Sequence, residues 1–246
     1  MGKVVAIHQP NFFPWLGYFD KIARCDTFVI LDDVQNQKKA GTWSNRVKLL
    51  ISGEARWVTA PIVRNYSGYR KIKDMEFCSN NPWRTKILKS IEMNYKKTSF
   101  FSETFSLLEP LIFNPENNIA KYNSKVILNI CKKIGIDINK MFWSSKLPHE
   151  GKSNELLVSL TKAVGGDAYM CGGGADGYQD DSVFAEAGMR LKYQDFKHPQ
   201  YPQAGSSEFI AGLSIIDALM NLGIDKMKAM LKHSNQESTM IQLQNV

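Results

Sequence analysis

Short unbroken runs of apolar residues alternate along this chain with stretches in which apolar residues recur every three or four positions. Residues 4–7 (VVAI) and 27–31 (TFVIL) are brief, β-branched and bounded by loop residues, which predicts strands buried on both faces. Between them, residues 17–25 predict a short helix with Phe19, Ile22 and Ala23 on one face. Two apolar strands joined by a helix predict a parallel βαβ unit. Residues 45–51 and 56–62 read as strands joined by a Ser52-Gly53 turn. Helices are predicted over 82–97, with Pro82 in the first turn, over about 104–112, and over 119–134. The last carries the stripe Val126, Ile127, Ile130 and Ile134, and Gly135 stops it. Further on, 138–147 predicts a strand plus turn, 155–164 a helix, and 168–171 a strand running into Gly172, Gly173 and Gly174. A helix over 178–187, a strand over 191–196 and a helix over 214–222 closed by Gly223 complete the pattern.

Strands alternating with helices imply an α/β fold with an open, largely parallel, Rossmann-like sheet. The mainly helical segment at about 82–134 reads as an insertion, and no Pro-, Gly- or Ser-rich linker separates it. The expectation is a single domain over 1–235 and a loosely ordered polar tail over 236–246.

The composition narrows the class. With 246 residues, 43% hydrophobic and 22% charged, the chain is ordinary globular material. No apolar run reaches the roughly 20 residues needed to cross a bilayer, and the N-terminus lacks the pattern of a signal peptide. A cytoplasmic protein with no membrane insertion is expected. The four cysteines, Cys25, Cys78, Cys131 and Cys171, form no CxxC pair and read as free thiols. The net charge of +7 suits anionic partners, yet the lysines form no block, so nucleic acid is not the expected partner.

Open α/β sheets bind ligands beyond the carboxyl ends of their strands, where strand order reverses. His8 and Gln9 follow the first strand, Asp32 and Asp33 the second, and Gly172, Gly173 and Gly174 a later one. His8 is a candidate general base, or else a loop histidine bonded to a carbonyl. Asp32 and Asp33 suit a divalent metal, sugar hydroxyls or the capping of a turn. The glycines suit a phosphate, with Tyr178 opening the next helix. On the strand over 45–51, Arg46 and Lys48 share a face that suits an anionic substrate or simply solvent. His198 repeats the His-Pro pattern of the opening at another strand end, with Tyr201 and Gln203 nearby. His149 and His233 read as surface residues. HExxH, GxSxG and zinc-type spacings are absent, and HEGKS (149–153) lacks the upstream glycine of a P-loop. Neither a cofactor nor a metal is identified by any motif.

The segments HQPNFFPWLGYFDKI, DTFVILDDVQ, NRVK with WVTAPI, GGDAYMCGGGADGY, and KHPQYPQ with FIAGLSIIDALMNLG together resemble the WbqC-like family. The resemblance spans nearly the whole chain. It implies a role in bacterial O-antigen and other surface-polysaccharide pathways, with transfer of glycine or another aminoacyl group onto an amino sugar proposed for the family. Among the matching motifs, His8, Gln9, Asp32, Asp33, Asn45, Arg46, Lys48, Tyr178, His198 and Gln203 are the residues expected to matter. The opening is also similar to nucleotidylyltransferases, but HQP stands where those carry HxGH.

Two functions follow as expectations. One is an acyl or aminoacyl transferase acting on a nucleotide-linked amino sugar, with His8, His198 and Asp33 catalytic. Phe12, Phe13, Trp15 and Tyr201 then stack on base or sugar, and Arg46 and Lys48 hold the diphosphate. The activated acyl donor is a thioester or a charged tRNA, and a covalent relay through Cys171 is an option. The other is a non-catalytic binding protein of the same pathway. An adenylating enzyme with Asp32 and Asp33 on a metal is a third reading.

Overall fold

The computed structural model describes residues 2–36, 42–172 and 180–244, with side chains as far as Lys232. The chain opens with β1 (Val4–His8), α1 (Leu16–Arg24) and β2 (Thr27–Ile30). A hairpin of β3 (Arg46–Ile51) and β4 (Glu54–Thr59) follows, then three helices, α2 (Trp83–Tyr95), α3 (Phe101–Ile112) and α4 (Ile119–Lys133). The remainder is β5 (Met141–Trp143), α5 (Ser153–Ala163), β6 (Ala168–Cys171), α6 (Asp181–Glu186), β7 (Arg190–Tyr193) and α7 (Ile215–Gln244).

The apolar runs form the middle of a five-stranded sheet with the order β5-β2-β1-β6-β7. Every neighbouring pair in it is parallel. Side chains alternate between two cores, as the pleat requires. From β1, Val4 and Ala6 enter the larger core, with Tyr18, Phe19 and Ile22 of α1 and the early part of α7. Val5 and Ile7 enter the smaller one, with Val158 and Leu160 of α5 and Phe184 of α6. Helices thus cover both faces, which explains why β1 and β2 read as continuous apolar runs rather than alternating ones.

The hairpin is a separate antiparallel sheet, in register from Arg46↔Thr59 to Ile51↔Glu54. Ser52 and Gly53 both take positive φ, 52° and 81°, as a tight turn matched to strand twist demands. The helices α2 to α4 form the expected helical insertion. Buried Asn123 of α4 donates from Nδ2 to the Pro10 carbonyl at 2.9 Å and to the Ser44 carbonyl at 2.7 Å. That one amide ties the loop after β1 to the entrance of the hairpin.

Strand and helix ends shift by a few residues, as with β4 and β7, and the last helix differs more. Gly223 does interrupt the last helix, with φ 77° and ψ 170°, but helical backbone resumes beyond it. The reason is apolar spacing: Ile224, Met227 and Leu231 are all buried and keep the following turns against the core. Among the described residues, no helix is long and apolar enough to cross a membrane.

Candidate functional site

From β1 the sheet grows through β2 to β5, and the chain then returns to the other side of β1 to lay down β6 and β7. Strand order therefore reverses between β1 and β6, and the carboxyl ends of these two strands diverge into a crevice. A cleft of about 1010 Å³ lies there. Its lining includes His8 and Gln9 from the end of β1, and Cys171 and Gly172 from the end of β6. Trp15 and His198, from two different loops, also line it. The expectation that the two His-Pro loops converge on one cleft agrees with this geometry.

His8 is partly buried, and its ring meets that of Tyr18 edge-on at 4.8 Å. Its Nδ1 lies 3.1 Å from the Gln9 carbonyl. A carbonyl only accepts, so Nδ1 carries the proton and Nε2 keeps its lone pair. Burial pushes the His8 pKa down to about 4, and the positive charge of Lys21 acts in the same direction, against the bond to Gln9. At neutral pH the ring is uncharged, with one nitrogen able to accept a proton.

His198 packs on Trp15, with ring centroids 5.2 Å apart, and on Phe196 at 5.0 Å. Burial lowers its pKa as well. The Trp15 indole takes this position because Gly17 has no side chain: a Cβ there would lie 2.2 Å from the ring. The glycine in the motif PWLGY is thus a close-approach residue that lets the aromatic wall lean over α1.

The loop carrying His198 is pinned from beneath. Tyr201 donates its hydroxyl to Asp217 Oδ2 at 2.8 Å, and Gln203 donates Nε2 to the same oxygen at 2.9 Å. Gln203 also accepts from the Ile210 amide at 2.7 Å. Neither Tyr201 nor Gln203 lines the cleft; both spend their polar groups on a fully buried carboxyl of α7. Burial raises the Asp217 pKa, so this group weakens the fold as pH climbs above the ordinary carboxyl value. Asp217→Ala is expected to cost about 2–3 kcal/mol by stranding two buried donors, read as a lower urea midpoint. Asp217→Asn, which keeps an acceptor oxygen, is expected to recover most of that loss.

Asp32 and Asp33 hold a turn, one of the uses expected of them. Both are buried, and neither lines the cleft. Asp32 Oδ1 accepts from the Ser145 amide at 3.0 Å, and Oδ2 from the Ser145 hydroxyl at 2.8 Å. The Ser144 hydroxyl sits between the two carboxylates, within reach of Asp32 Oδ1 at 3.0 Å and of Asp33 Oδ1. His149, expected at the surface, instead places Nε2 3.1 Å from Asp33 Oδ2. The pair therefore fastens the end of β2 to the turn after β5. Among the described residues, no group of three or more His, Cys, Asp and Glu side chains is placed to hold a metal ion.

The remaining candidates divide clearly. Asn45 is consumed by its turn, accepting from the Thr42 hydroxyl at 3.1 Å and donating to the Ala60 carbonyl at 2.8 Å. Arg46 and Lys48 do share a face, but it is the Trp57 face of the hairpin, with the Arg46 guanidinium 4.1 Å from that ring and the Lys48 amine 5.3 Å. They lie outside the cleft lining. Phe13 is fully buried against Phe12 in the larger core rather than on the cleft wall. Gly173, Gly174 and Tyr178 lie outside the described residues. Cys171 lines the cleft with its thiol 3.6 Å from the Lys192 carbonyl.

Among the cleft residues that the sequence reading did not single out are Lys21 and Gln194. Lys21 lies on α1, a helix buried from Leu16 to Ala23, so its polar positions point into protein rather than water. Gln194 follows β7 and donates Nε2 to the Gly17 carbonyl at 2.7 Å and to Asp20 Oδ2 at 2.8 Å. The available signal for Lys21 was its place in an apolar run, GYFDKIARC, directly after a ligand-side strand end.

Comparison with known proteins places these features in context. The model of the WbqC-like protein family matches residues 9–229. An uncharacterized protein of Mycobacterium tuberculosis, Rv1507c, is 31% identical over 226 residues, covering 91% of this chain and 95% of that protein. No solved structure matches.

Proposed function

Because the chain belongs to the WbqC-like protein family, we propose that it is a transferase of surface-polysaccharide biosynthesis. It places a glycyl, other aminoacyl or acyl group on the amine of a nucleotide-linked amino sugar. The observation that carries this reading is the cleft at the β1/β6 switch point, with a neutral His8 whose Nδ1 is committed to a carbonyl. A cleft of about 1010 Å³ suits a nucleotide-linked sugar, since ligand pockets span roughly 300–1,000 Å³.

In this reading the acceptor amine attacks the carbonyl carbon of an activated acyl donor, a thioester or an aminoacyl ester. A C–N bond forms as the C–S or C–O bond breaks. The amine nitrogen becomes acidic as it bonds, and His8 Nε2 takes its proton and returns it to the departing thiolate or alkoxide. A base with a pKa near 4 is weak, but protonation does not remove it from service near neutrality. His198 and Trp15 form the wall that orients the sugar, and the Asp217 anchor keeps that wall in place. The roles expected of Arg46 and Lys48 pass to groups inside the cleft.

The test is a transfer assay read by mass spectrometry. The protein is incubated with a UDP-linked amino sugar and, in separate reactions, with glycyl-tRNA, a glycyl thioester and acetyl-CoA. Mass gain on the sugar nucleotide by one acyl residue in any reaction is the expected result. Absence of product with every donor, while the sugar nucleotide still binds, favours a carrier rather than an enzyme.

A further inference from the structure

Lys21 is 5% exposed, yet it lines the cleft. It makes no hydrogen bond or ion pair among the described residues. The adjacent carboxylate is already engaged: Asp20 accepts from Gln194 Nε2 at 2.8 Å and pairs with Arg24 at 3.5 Å. A buried ammonium without a carboxylate is unfavourable, and an apolar residue at the same helix position would avoid that cost. The lysine is therefore a poor choice for folding alone. Its Nζ would lie 3.2 Å from a Cβ built on Gly172, so it hangs over the backbone at the end of β6. The missing side chain at Gly172 leaves the room the ammonium uses.

We propose that Lys21 is the anion-binding residue of the cleft, receiving a phosphoryl group of the ligand beside Gly172 at the β1/β6 switch point. This rests on the reading of the cleft as a nucleotide-sugar site, and it names the group that site grips. A buried amine facing a cavity is matched by a compact, doubly charged group, and a phosphoryl oxygen satisfies donors that no acceptor among the described residues reaches. The same charge bears on His8, whose pKa it helps to hold down. Burial lowers the pKa of Lys21 itself, and an incoming anion favours its charged form.

Calorimetric titration of the full chain with UDP, inorganic pyrophosphate and uridine tests the assignment. UDP and pyrophosphate are expected to bind the wild type, and Lys21→Met to weaken both by about 10- to 100-fold while leaving uridine unchanged. Binding of UDP but not pyrophosphate still supports the proposal and ties the anion to a nucleoside. Lys21→Met is also expected to melt at or above the wild-type temperature, because it removes a buried charge that is unpaired among the described residues. Gly172→Ala, which crowds the ammonium without removing it, is expected to weaken UDP by a smaller factor. Undiminished UDP binding by Lys21→Met overturns the assignment, as does failure of the wild type to bind either anion. A Lys21-dependent anion site in a protein that transfers no acyl group leaves this proposal standing and removes the transferase reading instead.

Discussion

His8→Gln is expected to slow acyl transfer by roughly 10²- to 10⁴-fold, the usual worth of a positioned general base. Binding of the sugar nucleotide should change little, so the loss falls on kcat rather than KM. Glutamine keeps a polar end at the close of β1 but has no lone-pair nitrogen to accept a proton. The pH profile supplies a second readout. With the His8 pKa at about 4, kcat/KM should stay level on the acid side well below the ordinary histidine value of 6.5 and fall only near the lower figure. The charge that bears on His8 is that of Lys21. The Tyr18 hydroxyl, itself pushed far above its ordinary range by burial, stays neutral throughout. The same shift has a stability consequence. The unfolded chain takes up a proton near pH 6.5 and the folded one does not until about 4, so the fold weakens as pH drops through that interval. A full rate in His8→Gln would transfer the role of base to another group, with His198 next in line.

Asp32→Ala is expected to destabilise the protein by about 3 kcal/mol, seen as a fall in melting temperature and urea midpoint. Two donors lose their acceptor, the amide and hydroxyl of Ser145, while the Ser144 hydroxyl is left with Asp33 alone. The effect should be on folding and not on ligand affinity per folded molecule, because Asp32 does not line the cleft. A metal- or sugar-binding role makes the opposite prediction, near-normal stability with binding lost. Ser145→Ala, which removes one of these two donors, should cost only about 1 kcal/mol. A double mutant should then lose less than the sum, since both changes strike one network.

The contrast between His8 and Asp32 shows how the fold was legible and where the site was not. The strands β1, β2 and β6 could be read because burial on both faces makes them continuous apolar runs. Their parallel direction then followed from the rule that continuous apolar strands linked by helices run parallel, while the order β5-β2-β1-β6-β7 is seen only in the structure. Knowing which strand ends carry polar residues placed His8, Gln9 and Gly172 at one crevice. What the ends of β2 do could not be read, because the hydroxyls that claim Asp32 and Asp33 lie more than a hundred residues away, at Ser144 and Ser145. Arg46 and Lys48 share a face as the period-two pattern requires, but the antiparallel register sets Lys48 opposite Trp57 and turns that face to an indole. Lys21 was hidden by the opposite mistake. On a helix with apolar neighbours on one side, a lysine reads as the solvent face, whereas α1 is enclosed by the sheet on one side and α7 on the other. Similarly, Tyr201 and Gln203 look like ligand contacts in sequence because they follow a His-Pro pair, yet Asp217 claims them from a helix 14–16 residues further on.

Hydrogen exchange read by mass spectrometry, with and without a UDP-linked amino sugar, tests most directly whether the β1/β6 cleft is the binding site. Protection is predicted in peptides covering 7–18, 168–172 and 194–198, with the β3–β4 hairpin over 46–59 unchanged. Protection centred on the hairpin, with the three cleft segments unaffected, would contradict the account.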